Sequence, residues 1–132
     1  MISSHYIMFI SNETFMKKRN EVLELSFEFA LNIISYSELL EEKRKYVIAR
    51  QLLKAGTSIG ANIREAQSCE SKADFIHKLK ISHKEAEETD YWLLLSEKAE
   101  KYPNPNVEMK AMLLSIQKLL TKIISTTRKY KS

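Results

Sequence analysis

Histidine and carboxylate pairs are the first candidates for chemistry in this sequence, because helical bundles can hold two metal ions between inward-facing Glu-x-x-His pairs. The nearest spacing is Asp74, which is followed three residues later by His77. His77 and His83 are six residues apart, which separates them by about 240° around a helix, so they do not share a metal ion directly. We predict no metal site and no bound cofactor.

The marks of other enzyme classes are missing as well. Small ribonucleases built on helical bundles carry an arginine shortly before a histidine, and none of His5, His77 and His83 follows an arginine in this way. No serine or cysteine has a paired base at a recognisable spacing. The single cysteine, Cys69, lacks an adjacent basic cluster and is expected to be a small core residue. We therefore expect no catalytic residues and no enzymatic activity.

Rows of basic residues on two predicted helices are suited to binding phosphate groups. Arg50, Thr57 and Arg64 follow one another at seven-residue spacing along one edge of the second helix, with Lys54 nearby. A second row, formed by Lys118, Lys122 and Lys129, follows one side of the fourth helix. No aromatic residues alternate with these charges, so we expect contacts to the nucleic-acid backbone with little reading of the bases. The candidate residues are Arg50, Lys54, Arg64, Lys118, Lys122, Arg128 and Lys129.

The charge distribution allows a second interpretation of these rows. The net charge of +4 is too small to indicate a nucleic-acid-binding protein by itself. Residues 43–69 and 103–132 each contain six basic residues and one acidic residue, whereas residues 1–42 contain seven acidic and three basic residues. If basic and acidic helices alternate around a bundle, each basic helix attracts its acidic neighbours. A packing role therefore stays open beside the ligand-binding one.

Four long helices must position these residues. Apolar side chains recur at spacings of three and four, as on the buried face of an amphipathic helix. Short connections between long helices favour antiparallel neighbours. The sequence therefore predicts an all-α, up-down-up-down four-helix bundle of residues 16–132, preceded by a loose tail of residues 1–15. The predicted helices are Met16–Glu41, Lys43–Cys69, Lys72–Tyr102 and Val107–Lys129.

The second helix contains two glycines, Gly56 and Gly60, four residues apart. Each costs about 1 kcal/mol relative to alanine inside a helix, so we expect a neighbouring helix to approach closely there. Tolerated surface glycines are the alternative. Asn62 falls on the predicted apolar stripe, where a polar residue can fix the register of packing at a cost in stability. Alternatively, the Asn62 side chain turns toward the backbone or water and has no role in register.

A run of five apolar residues in the third helix is apolar around the whole circumference. One small chain does not easily cover every side of a helix, so we expect a second subunit to cover part of it. The candidate interface residues are Tyr91, Trp92, Leu94 and Leu95.

Two stretches resemble a known bacterial family. These are QLLKAGTSIGANIREAQ at residues 51–67 and SKADFIHKLKISHKEAEETDYWL on the third helix. They are similar to four-helix-bundle proteins encoded by intervening sequences in large-subunit ribosomal RNA genes. The resemblance implies a bundle that closes into a ring-like homo-oligomer, commonly a homopentamer. It also points to an accessory protein of diversity-generating retroelements, a basic ring that engages nucleic acid and a reverse transcriptase.

These observations predict a non-enzymatic, oligomeric bundle that binds RNA or another nucleic acid through basic helix faces. The alternative is a structural or adaptor ring that binds a protein partner without nucleic acid. No apolar run approaches the roughly 18 residues of a membrane span, and a single cysteine fits a reducing compartment. We therefore expect a cytoplasmic protein with no membrane partner.

Overall fold

The computed structural model describes residues 13–130, which form four α-helices and, within that range, no β-strand. The helices are α1 (Glu13–Glu42), α2 (Tyr46–Ala66), α3 (Lys72–Lys98) and α4 (Val107–Arg128). The all-α prediction is confirmed. Most of the predicted N-terminal tail, residues 1–12, lies outside the described residues. None of the four helices is long and apolar enough to cross a membrane.

The helices form a closed four-helix arrangement in which each packs against two neighbours. Helix α2 lies between α1 and α3, and α4 lies between α3 and α1. Consecutive helices run antiparallel. Ile33 and Ser26 of α1 face Gly56 and Gly60 of α2 in reversed order, and the contacts of α3 with α2 and with α4 are reversed in the same way. The largest fully buried side chains include Phe29, Ile33, Leu40, Leu52, Ile59, Ile63, Leu79, Leu93, Leu113, Ile116 and Leu120.

Side-chain caps begin α3 and α4. The Ser71 Oγ accepts a hydrogen bond from the Asp74 N–H at 3.1 Å, and the Asn106 Oδ1 accepts one from the Met109 N–H at 2.6 Å. Such caps satisfy backbone donors that have no partner inside the helix and contribute about 1 kcal/mol each. Both helices therefore begin where the sequence predicts.

Other helix ends differ from the predicted ones. Helix α1 begins at Glu13 and includes residues 13–15 of the predicted tail, because Phe15 is buried with its ring 6.4 Å from that of Phe75. Helix α2 begins only at Tyr46, since Arg44 has the left-handed φ of 62°. Helix α3 ends at Lys98 rather than near Tyr102, because Ala99 is extended and Lys101 has a φ of 67°.

Small hydroxyl residues complete the buried stripe of α3. Ser82, Thr89 and Ser96 are fully buried at seven-residue spacing between the apolar core residues. The Ser82 Oγ donates a hydrogen bond across the helix interface to the Ile59 carbonyl at 2.9 Å. Thr89 and Ser96 each donate to the carbonyl one turn earlier in their own helix. These compact, satisfied side chains let α2 and α3 pack closely.

The buried stripe of α2 differs from the predicted one at Asn62. Ile59 and Ala66 are buried as expected, but Ile63 occupies the core position that the seven-residue repeat assigned to Asn62. Asn62 is half-buried beside the stripe, and its Nδ2 donates to the Ser58 carbonyl at 2.8 Å. A straight helix drifts by about 20° per heptad from a strict seven-residue repeat, so the period alone does not choose between adjacent residues.

Helix α1 packs directly on the two glycines of α2. A Cβ atom at Gly56 would lie 2.8 Å from both Cγ1 and Cγ2 of Ile33, which is fully buried. A Cβ atom at Gly60 would lie 3.2 Å from the Ser26 Oγ. The Ile33 side chain therefore occupies the space that a side chain at position 56 would need.

We predict that Gly56→Ala destabilises the fold and that Gly60→Ala is closer to neutral. Overpacking at Gly56 costs about 1–3 kcal/mol, while the gain in helix propensity is about 1 kcal/mol for either alanine. Urea unfolding followed by circular dichroism measures both free energies. Equal stabilities for the two variants would contradict the close contact at Ile33.

Candidate nucleic-acid interface

A basic groove lies on the outer surface of the bundle, between the first half of α3 and the last half of α4. It is an open cavity of about 530 Å³. We call it the α3–α4 groove. Its walls and floor are formed by Lys80, His83, Lys84, Glu87, Thr121, Ile124, Ser125, Arg128 and Lys129.

The amphipathic pattern of the two helices creates this groove. Helix α3 buries Leu79, Ser82 and Ala86, so the residues next to them face outward along the edge shared with α4. Helix α4 buries Leu120 and Thr127 on its inner face. Because the helices are antiparallel, the early turns of α3 lie beside the late turns of α4.

The groove carries more positive than negative charge. Four cations line it, Lys80 and Lys84 from α3 and Arg128 and Lys129 from α4, while Glu87 is the single carboxylate among the lining residues. None of these four cations takes part in the salt bridges found in residues 13–130. Those salt bridges join Lys78 to Glu65 and Lys110 to Glu97, and the carboxylate of Glu87 instead contacts the His83 ring.

His83 connects the carboxylate of the groove to its opposite wall. Its Nδ1 lies 3.0 Å from the Glu87 Oε1, and its Nε2 lies 3.3 Å from the Thr121 Oγ1. Since each ring nitrogen has one partner, the imidazole is held across the groove between α3 and α4. These two contacts hold His83 and Glu87 in place beside the lysines.

The predicted basic residues of α4 all lie on or next to this groove. Arg128 and Lys129 line it, and Lys118 and Lys122 line a shallower depression on α4 that shares Thr121 and Ser125 with it. The structure therefore joins the four α4 candidates into one basic surface.

The predicted basic residues of α2 are not part of that surface. Arg50, Lys54 and Arg64 are exposed, but α2 and α4 are diagonal in the bundle. Arg64 borders a small depression between α1 and α2. The candidates thus fall into two groups on different sides of the chain.

Lys80 and Lys84 line the groove but are not among the candidates predicted from the sequence. Residues 70–102 contain eight acidic and six basic residues, so the region looked acidic as a whole. The spacing of the two lysines could have identified them. They are four residues apart, with His83 between them, and therefore share one helix face.

Comparison with known proteins decides the family. Residues 18–122 match the model of the 23S rRNA-intervening sequence proteins. The chain belongs to this family. Among functionally curated proteins no sequence matches it.

A solved structure supports the same relationship. It is a protein of unknown function from the S23 ribosomal protein family of Bacteroides thetaiotaomicron, 44% identical to this chain. The alignment covers 82% of this chain and 98% of that protein, with a TM-score of 0.73.

This intervening-sequence protein exposes an apolar patch on α3 and α4. Leu93 is buried, but Tyr91 and Leu94 are 55% and 48% exposed, and Leu95 is also exposed. Trp92 is half-buried and its Nε1 donates to the Glu88 carboxylate at 3.1 Å. Leu114 of α4 is also exposed, and the pairing of His83 with Thr121 and of Glu97 with Lys110 puts it at the level of Tyr91 along the bundle. We define the α3–α4 apolar patch as Tyr91, Leu94, Leu95 and Leu114.

A second apolar patch lies on the opposite side of the bundle. Phe27 and Leu31 of α1 are 56% and 51% exposed, and Ile34 follows them along the helix. Leu53 is exposed on the neighbouring α2. These four residues form the α1–α2 apolar patch. The protein therefore presents two different apolar surfaces that face away from each other.

The described residues contain no cluster of three or more histidine, cysteine or carboxylate side chains that could hold a metal ion. His77 is exposed on α3, and His83 is engaged by Glu87 and Thr121.

We predict that Glu85→Gln stabilises the protein at neutral pH. Burial raises the pKa of the Glu85 carboxyl, Glu88 raises it further, and Lys54 lowers it in part. A raised pKa means that the folded state favours the protonated acid, so the charged form costs stability above the ordinary value of 4.5. The gain from glutamine should shrink as the pH falls toward that value. Urea midpoints at neutral and acidic pH measure this, and a gain independent of pH would contradict it.

Proposed function

We propose that this protein is a non-enzymatic, oligomeric bundle that binds the phosphate backbone of RNA through its basic helix faces. The observation that carries the proposal is the exposure of its candidate cations, none of which is in a salt bridge within residues 13–130. A cation outside a salt bridge is available to a phosphate, and its binding releases counterions from the nucleic acid.

The side chains around these cations favour backbone contacts over base recognition. The lining of the α3–α4 groove contains no Phe, Tyr or Trp side chain, and its one aromatic ring, the His83 imidazole, has Glu87 and Thr121 as partners at its two nitrogens. Lysine, arginine and hydroxyl groups instead match phosphate oxygens, which position a protein without reading sequence. We therefore expect affinity that depends strongly on salt and weakly on RNA sequence.

The names of the relatives support RNA as the ligand class. The family is described by the 23S rRNA intervening sequence, and the similar Bacteroides protein is assigned to a ribosomal protein family. Both names refer to ribosomal components, and we carry that association to this chain as part of the proposal.

The proposal includes a ring-like homo-oligomer. Two different apolar patches on opposite sides of one chain suit a head-to-tail contact, in which one patch of each copy meets the other patch of the next. Such contacts close into a ring when the rotation between copies allows it. The resemblance implies five subunits, and a ring would repeat the basic faces and multiply the phosphate contacts.

A structural or adaptor ring is the second candidate function. The α1–α2 apolar patch favours it, because exposed Phe27, Leu31 and Ile34 are also a suitable docking surface for a protein partner. In this version the basic faces serve packing between subunits, and nucleic acid is not bound.

We predict that Leu94→Glu lowers the mass of the assembly in solution while the chain stays folded. Leu94 is 48% exposed, so a charge there leaves the core intact but opposes burial against another copy. Val47→Glu is the matched control, because Val47 is 63% exposed and lies outside both apolar patches. Light scattering coupled to size exclusion gives the masses. A monomeric wild-type protein would refute the oligomer.

We predict that the wild-type protein retards a stem–loop RNA in a gel at about 50 mM salt and much less at about 200 mM. Charge reversal to glutamate at Arg50, Lys54, Lys118 and Lys122 should abolish binding and leave the assembly intact. The control reverses Lys17, Lys43, Lys98 and Lys101, which are also exposed and give the same change in net charge.

The two candidate functions give different results in this experiment. Lost RNA binding with an unchanged assembly supports the RNA-binding function. Dissociation of the assembly by the first set of reversals, without RNA binding by the wild type, supports the adaptor ring. No retardation of the wild type at low salt removes the RNA proposal.

A further inference from the structure

The α3–α4 groove is a more specific site than a basic helix face, because its cations come from both walls. Lys80 and Lys84 stand on α3, and Arg128 and Lys129 stand on α4. We propose that this groove is a discrete site for the phosphates of an RNA strand, with Lys80 and Lys84 as binding residues. This inference rests on the proposed RNA-binding function and assigns the site to it.

The spacing of the two lysines suits more than one phosphate. Residues four apart on a helix lie one above the other, about 6 Å apart along the axis. Lys80 and Lys84 are both exposed and belong to no salt bridge within residues 13–130. Their ammonium groups can therefore reach different phosphates of a strand that follows the groove.

The α4 side of the groove also provides hydroxyl groups next to its cations. Thr121 and Ser125 of α4 carry these hydroxyl groups beside the buried Ile124, and the Thr121 Oγ1 also lies 3.3 Å from the His83 Nε2. Hydroxyl groups donate to phosphate oxygens and carry no sequence information. The groove thus combines charge, hydroxyl donors and an open shape, which are the features that a sugar–phosphate backbone requires.

Glu87 is expected to weaken RNA binding in the groove. It is the one carboxylate that lines the groove, and its Oε1 lies 3.0 Å from the His83 Nδ1. A carboxylate beside the bound strand repels phosphate. Neutralising Glu87 should therefore strengthen RNA binding, an effect that a groove used only for folding would not show.

The charge of the groove could instead attract a second copy of this chain. The outer face of α1 carries Glu21, Glu24 and Glu28, all exposed. The RNA strand is favoured because the groove is open and places hydroxyl side chains beside cations from both helices. The experiment must therefore distinguish RNA binding in the groove from contact with a second copy of the chain.

The test measures RNA binding by fluorescence anisotropy across a range of salt concentrations. The probe is a labelled single-stranded RNA, and the groove variant is Lys80→Ala with Lys84→Ala. The control is Lys43→Ala with Lys98→Ala, since these lysines are exposed at the opposite end of the bundle. A third variant is Glu87→Gln. Circular dichroism and light scattering are recorded for each protein.

The groove variant should bind more weakly, and the slope of log affinity against log salt should fall by about 1.4 for two lost phosphate contacts. The control should keep the wild-type slope to within half that change. Glu87→Gln should bind more tightly than the wild type at every salt concentration.

Each contrary result has a definite meaning. A groove variant that keeps the wild-type slope overturns the groove assignment and leaves the proposed function standing. A groove variant that dissociates the assembly, with an unchanged slope, also overturns it and identifies the groove as a contact between copies. A wild-type protein that binds no RNA at low salt overturns both proposals.

Discussion

The close contact of Ile33 with Gly56 sets how near α1 and α2 lie to each other. No side chain at Gly56 separates α1 from α2, and the small hydroxyl Ser82 similarly brings α3 onto α2 through its bond to Ile59. Helices α1, α2 and α3 are therefore packed closely. Helix α4 packs less closely on both of its neighbours, α3 and α1, than α2 packs on α1 and α3. The groove lies at one of these two more open junctions, the one with α3.

Much of the fold follows from apolar periodicity and capping residues. Ser71 and Asn106 accept hydrogen bonds from the first turns of α3 and α4, and these short-range signals are readable in sequence. The sequence did not predict which residue of α2 is buried at this position, because Asn62 and Ile63 are adjacent and a seven-residue period fits either one. Packing against α1 and α3 makes that choice, and packing involves residues far apart in the chain.

The candidate site was only partly predictable for a related reason. Arg128 and Lys129 belong to a basic segment and were identified, whereas Lys80 and Lys84 belong to a segment with more acidic than basic residues. Whether two charged groups act together depends on which helices are neighbours. The structure brings the α3 lysines to the end of α4 and leaves Arg50 on the other side of the bundle.

The central claim is that the cations of the α3–α4 groove contact RNA phosphates, and lysine footprinting tests it directly. The wild-type protein is reductively methylated with and without single-stranded RNA at low salt, and the modification of each lysine is quantified by mass spectrometry. The account predicts that RNA protects Lys80, Lys84 and Lys129 but leaves Lys43 and Lys98 unchanged. Equal modification of all five lysines in both samples would contradict it.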